Sequence, residues 1–246
     1  MIWDIILITN FMILLEINSK LKSEFDKFCL HFKDQGIWVL IGRIYLTLGV
    51  FLISIILTNN LSPSLYGEYK YYISILALFS IFSLPESFQI IVRYASRGHS
   101  RILIHLTRLR LKFTFAASMI LFFLGLFKYF NNSNFELYLL IAVFLPFYYS
   151  YDLYIPFLQA KMNFKLLNVF LIIRVSIQII LIYLAVLFFK SPLVPFIGLM
   201  ISFSFLNFIF YNYVKIRYNI KSYIYDKRVS NLFIKQTFSL FMSLTV

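Results

Sequence analysis

Asn59-Asn60-Leu61-Ser62-Pro63-Ser64-Leu65-Tyr66-Gly67-Glu68-Tyr69-Lys70 is a short polar stretch between two long apolar runs, residues 37–58 and 71–92. Each run is about 22 residues, which as a helix is roughly 33 Å, enough to cross a hydrocarbon core of about 30 Å. Pro63 fixes its own φ and Gly67 accepts backbone angles that other residues avoid, so the stretch reads as a hinge between two crossings. A basic patch, Arg93-Tyr94-Ala95-Ser96-Arg97-Gly98, follows the second run at once. An out-and-back hairpin with its positive charge at one end sets the pattern for the rest of the chain.

The composition agrees. Of 246 residues, 61% are hydrophobic and only 13% charged, too few to cover a soluble surface. Mean hydropathy is +0.83. The apolar runs do not alternate with polar residues, which argues against barrel strands. The chain reads as an all-α polytopic membrane protein. Its net charge of +13 does not mark a nucleic-acid binder, because the basic residues sit between spans, where membrane topology calls for them. The single Cys29 cannot form an internal disulfide. There is no phosphate-cradling glycine loop and no metal-ligand motif, so no cofactor is expected. The abundance of Phe and Tyr is not read as a ligand site.

Outward from the hinge, six spans are expected, over residues 37–58, 71–92, 111–130, 135–158, 164–189 and 193–214. Residues 1–36 form an N-terminal segment whose part from 18 to 35 is amphipathic and suits the membrane interface. Asp4 and Asn10 break its first apolar run, and Met12 is an alternative start to Met1. Residues 215–246 are a basic segment in which apolar character resumes at Phe238, as the start of a truncated seventh span. With the N-terminus cytoplasmic, only Lys70, Lys128 and Lys190 of the 23 Lys and Arg fall in outer loops. That bias is strong positive-inside evidence, and a missed span would spoil its alternation.

Ionisable groups inside spans are expensive and default to functional candidates. Arg43, Glu86, Asp152 and Arg174 qualify. The first three lie roughly 9 Å from the cytoplasmic end and Arg174 near 15 Å, all in the inner half of the bilayer. Two acids and two bases at that depth can pair across the bundle or line a cavity open to the cytoplasm. Structural readings stand beside these. Arg43 is near enough to a span end to snorkel. Glu86 follows Pro85 at a helix break, and Asp152 lies between Pro146 and Pro156, which free backbone groups. Tyr148, Tyr149, Tyr151 and Tyr154 suit an interfacial belt better than a sugar-stacking platform.

Leu61-Ser62-Pro63-x-x-Tyr66-Gly67-x-Tyr69 after a first span, Ser83-Leu84-Pro85, Arg93-x-Ala95-x-Arg97-Gly98 and Gln159-Ala160-Lys161-Met162-x-Phe164 occur here in order. Together they resemble the first lobe of bacterial O-antigen-type polysaccharide flippases, members of the multidrug/oligosaccharidyl-lipid/polysaccharide exporter superfamily. The resemblance covers residues 37–215. Glu86 departs from it, since many relatives carry Gly after the span-two proline. The family has two six-helix lobes, so the resemblance implies a truncated product, a fragment, or a half-length form that pairs with a second lobe or second chain. It also implies a non-enzymatic function in the bacterial inner membrane. That function is the movement of undecaprenyl-pyrophosphate-linked oligosaccharide between leaflets, coupled to an ion gradient. Arg43 and Arg174 would capture the pyrophosphate, and Glu86 and Asp152 would bind the coupling ion or pair with the arginines. A small-solute or drug exporter of the same superfamily and a non-transporting remnant are the alternatives.

Overall fold

The computed structural model describes residues 35–130, 135–189 and 191–220. Nearly all of the N-terminal segment, the loop 131–134, Lys190 and the C-terminal segment beyond 220 lie outside the described residues.

The regular elements among the described residues are all helices, packed as an all-α bundle. α1 is Gln35–Asn60. Only Leu61 and Ser62 separate it from α2, Pro63–Phe79, because Ser62 and Pro63 are a ready-made helix start: the Ser62 hydroxyl accepts from the Leu65 N–H and Pro63 needs no partner for its missing one. Most of the expected hinge is therefore helix. A 3-10 turn, Ser80–Ser83, and Leu84 in the left-handed region (φ 52°) lead to Pro85 and then α3, Ser87–Ser96. Pro85 has no N–H for the Ile81 carbonyl, and the Leu84 N–H takes that carbonyl instead. The pair bends by 49°.

α4 is Ile102–Phe130, nine residues longer than the expected third span. Its first turns are the basic stretch read above as loop. They form helix because the stretch is amphipathic: Leu103 and Leu106 are fully buried, while Arg101 and Arg108 are exposed. α5, Phe135–Ser150, and α6, Tyr154–Ala160, form one crossing with a break at 151–153. α7 is Phe164–Phe188, started by Asn163, whose side chain accepts from the Leu166 N–H. α8 is Leu193–Arg217.

Gly42 and Gly49 seat α1 on α7. A Cβ on Gly42 would collide with the Asn168 amide, and one on Gly49 with Val175. Small residues permit this close approach in a bilayer. From one contact to the other, both helices advance by one heptad in the same direction, so α1 and α7 run parallel. They therefore begin on the same side of the membrane. That requires an even number of crossings from the start of α1 to the start of α7, which makes the bent α2–α3 pair a full crossing. The described residues therefore form six spans.

We call the end where α1, α4 and α7 begin the lower end. Arg93, Arg97, Arg101, Lys161, Lys165, Lys215 and Arg217 gather there; Lys70 and Lys128 lie at the upper end. The Lys161 ammonium ties two lower turns together by donating to the Ala95 carbonyl at 3.1 Å. The interior divides into two apolar cores. Ile91, Leu106, Tyr154, Phe157 and Val214 belong to the lower one. Leu57, Tyr72, Leu121, Ile141, Phe196 and Met200 belong to the upper one.

Candidate functional site

Between the two cores, every span from α2–α3 to α8 contributes buried polar side chains. They are Ser83, Glu86 and Ser87 at the α2–α3 break, Arg110 and Thr114 on α4, Ser150 at the end of α5, Gln178 on α7, and Ser202, Ser204 and Asn207 on α8. Together they form a polar layer that spans the middle and lower half of the bundle. Arg110 lies eight residues above the start of α4 and Asp152 eight above the end of α6, each about 12 Å up the axis; Arg174, ten residues into α7, is about 15 Å up.

The centre of the layer is an ion pair. Arg110 Nη1 donates to Asp152 Oδ1 at 2.7 Å, with the arginine side chain 1% exposed and the aspartate 19%. The Phe88 ring lies 5.3 Å from the guanidinium. Arg110 points inward because Leu103, Leu106, Arg110, Thr114, Ala117 and Leu121 form one helical stripe. Thr114 steadies it from the next turn, donating to the Arg110 carbonyl at 2.8 Å and meeting the Ser150 hydroxyl at 3.0 Å. Asp152 is presented from the break between α5 and α6. Pro156 cannot donate to the Asp152 carbonyl, so Ile155 does at 3.0 Å and the helix tightens there. The other proline of this span is compensated from outside it: Pro146 leaves the Ala142 carbonyl without its helical donor, and the Ser118 hydroxyl of α4 donates to it.

Arg174 reaches the same layer from α7. Its guanidinium lies 4.5 Å from the centre of the Phe203 ring and within electrostatic reach of Asp152, Tyr148 and Tyr154. Its Nε is buried with no hydrogen-bond partner. Asn207 braces the opposite wall, donating to the Tyr148 carbonyl at 3.2 Å and accepting from the Tyr154 hydroxyl at 3.4 Å.

The sequence-predicted residues thus part company. Asp152 and Arg174 come together. Glu86 is buried at the α2–α3 break, and among the described residues its carboxylate makes no ion pair or hydrogen bond. Arg43 is exposed on α1 and does not join the layer, since α1 turns Gly42 and Gly49 toward α7 and so carries Arg43 away. The four tyrosines of span four are not a belt. Tyr148 stacks on Phe203, Tyr149 donates to the Leu76 carbonyl, Tyr151 packs between Phe208 and Tyr211, and Tyr154 is buried against Phe170 and Phe210.

Arg110 was missed because it sits in a run of basic residues that reads as loop. The signal was present: it falls on the apolar stripe of α4, whereas Arg108 and Lys112 fall off it. Among the described residues no three His, Cys, Asp or Glu side chains come together to hold a metal. In comparisons with known proteins, no family model, no curated protein and no solved structure matches the chain.

Proposed function

We propose that this chain moves a lipid-linked oligosaccharide, carried on undecaprenyl pyrophosphate, from the inner to the outer leaflet of a bacterial inner membrane. The observation that carries the reading is the unequal use of charge in the polar layer. Asp152 is committed to Arg110, and Arg174 beside it forms no ion pair among the described residues. A guanidinium held half-buried in a low-dielectric setting is a natural partner for a pyrophosphate, which it can grip through two parallel N–H bonds. The resemblance of the ordered short motifs to those of polysaccharide flippases supports the same reading.

In this reading the lower end is cytoplasmic, as its concentration of Lys and Arg favours. The pyrophosphate enters from that side and meets Arg174. Glu86 and Asp152 bind the coupling ion: each is a carboxylate below the upper core, and protonating Asp152 would release Arg110. Alternating access takes a second lobe or a second chain facing this one. No covalent bond is made or broken.

The test is binding of undecaprenyl pyrophosphate to the full chain in nanodiscs, read by native mass spectrometry. Replacing a charge-assisted contact, Arg174→Gln is expected to weaken binding by about tenfold or more. Unchanged affinity would remove Arg174 from the site and the reading with it. In cells, Arg174→Ala is expected to abolish surface polysaccharide in a complemented deletion strain.

A further inference from the structure

A groove of about 730 Å3 runs along the outside of the bundle between α4 and α5, with Arg174 and the rest of α7 outside its lining. Its floor is low because Ser118 and Ala142 are small and tied together by the hydrogen bond that Pro146 makes necessary. Exposed Phe115, Phe123 and Phe147 stand as walls. At its lower end the groove opens at Lys112, and Arg108 lies one helical turn further down on the same face; both are exposed. From Lys112 to Phe123 the groove extends about 16 Å along α4.

We propose that this groove binds one anionic phospholipid of the lower leaflet, its acyl chain laid between α4 and α5 and its headgroup phosphate held by Lys112 and Arg108. Charge complementarity selects the occupant. The groove's walls are apolar and its mouth carries two cations with no acid beside them on the helix, since Asp and Glu are absent from α4 altogether. Any lipid fits the walls, but only a headgroup with net negative charge satisfies the mouth. The neighbouring α4 face makes the site consequential: Arg110, between Arg108 and Lys112 in sequence, is the buried half of the ion pair with Asp152. A lipid bound here holds the turn from which Arg110 projects inward.

The experiment uses the full chain in nanodiscs doped with phosphatidylglycerol or phosphatidylcholine bearing a photoactivatable acyl chain, with crosslinks mapped by peptide mass spectrometry. Labelling is expected at 115–123 and 142–147, with phosphatidylglycerol favoured about tenfold, and this preference should vanish in Arg108→Gln/Lys112→Gln. Val143→Trp, at the exposed rim, should reduce labelling of the groove while leaving the other lipid-facing helices labelled as before. Equal labelling by the two lipids, or labelling spread evenly round the bundle, would overturn the site. So would displacement of phosphatidylglycerol from the groove by equimolar undecaprenyl pyrophosphate, which would make the groove part of the substrate path. The result is independent of undecaprenyl pyrophosphate binding at Arg174, so either can fail alone.

Discussion

The upper core draws on all six spans and the polar layer beneath it on five of them, α1 being absent from the layer, and different forces hold the two regions. In the upper core, Leu121, Ile141, Leu145 and Met200 are buried completely within a cluster of apolar and aromatic side chains. Lipid tails are as apolar as these side chains, so their contribution is close packing rather than escape from water. The polar layer has the opposite balance. Each of its groups is expensive to place in a bilayer, and it is stable only as far as its members satisfy one another. One region gives the bundle its shape. The other gives it groups that shape alone does not require.

The largest expected effect breaks the layer at its centre. Asp152→Leu leaves Arg110 buried without its partner and should cost about 3–5 kcal/mol, read as a fall in thermal stability of the purified protein. Joining it with Arg110→Leu should restore most of that stability, because replacing a buried pair with apolar side chains is often nearly neutral. In the upper core, Leu145→Ala should cost about 2–4 kcal/mol through the cavity it leaves, with binding of undecaprenyl pyrophosphate unchanged. Next is the floor of the α4–α5 contact. Ser118→Ala strands the Ala142 carbonyl and should cost about 1–2 kcal/mol in the same melting measurement. The smallest effect belongs to Arg43→Gln. An exposed arginine outside the layer should change stability by no more than about 0.5 kcal/mol and leave binding intact.

Much of this architecture was legible from hydropathy and charge. The apolar runs at 37–58 and 164–189 are α1 and α7, and the alternation of basic turns implied the six spans that the parallel α1–α7 seam requires. The helix starts at Ser62-Pro63 and Ile102 were less legible. Both were hidden by local polarity: a capped helix can begin within a polar turn, and an amphipathic one within a basic run. The site was half-legible. Asp152 and Arg174 stood out as charges inside apolar runs. Arg110 did not, because charge density along the chain says nothing about which way a residue faces. Arg43 shows the converse. Its depth resembled that of Asp152, but rotation about a helix axis is set by packing, here by Gly42 and Gly49 against Asn168 and Val175. Those two glycines, one heptad apart, were the available hint to the inner face of α1.

The prolines teach the same lesson about partners. Pro146 and Pro156 announced unsatisfied carbonyls at Ala142 and Asp152. Which group would meet the Ala142 carbonyl was decided by α4, a separate span, and not by any local pattern.

We propose that the polar layer moves a pyrophosphate-linked sugar and that Arg174, which forms no ion pair among the described residues, receives the pyrophosphate. The most direct test is transbilayer movement of a fluorescent undecaprenyl-pyrophosphoryl oligosaccharide in proteoliposomes containing the full 246-residue chain. Movement is expected above that in protein-free vesicles, kept by Leu145→Ala and lost in Arg174→Gln. Movement no faster than in empty vesicles, or an Arg174→Gln protein as active as the unaltered one, would contradict it.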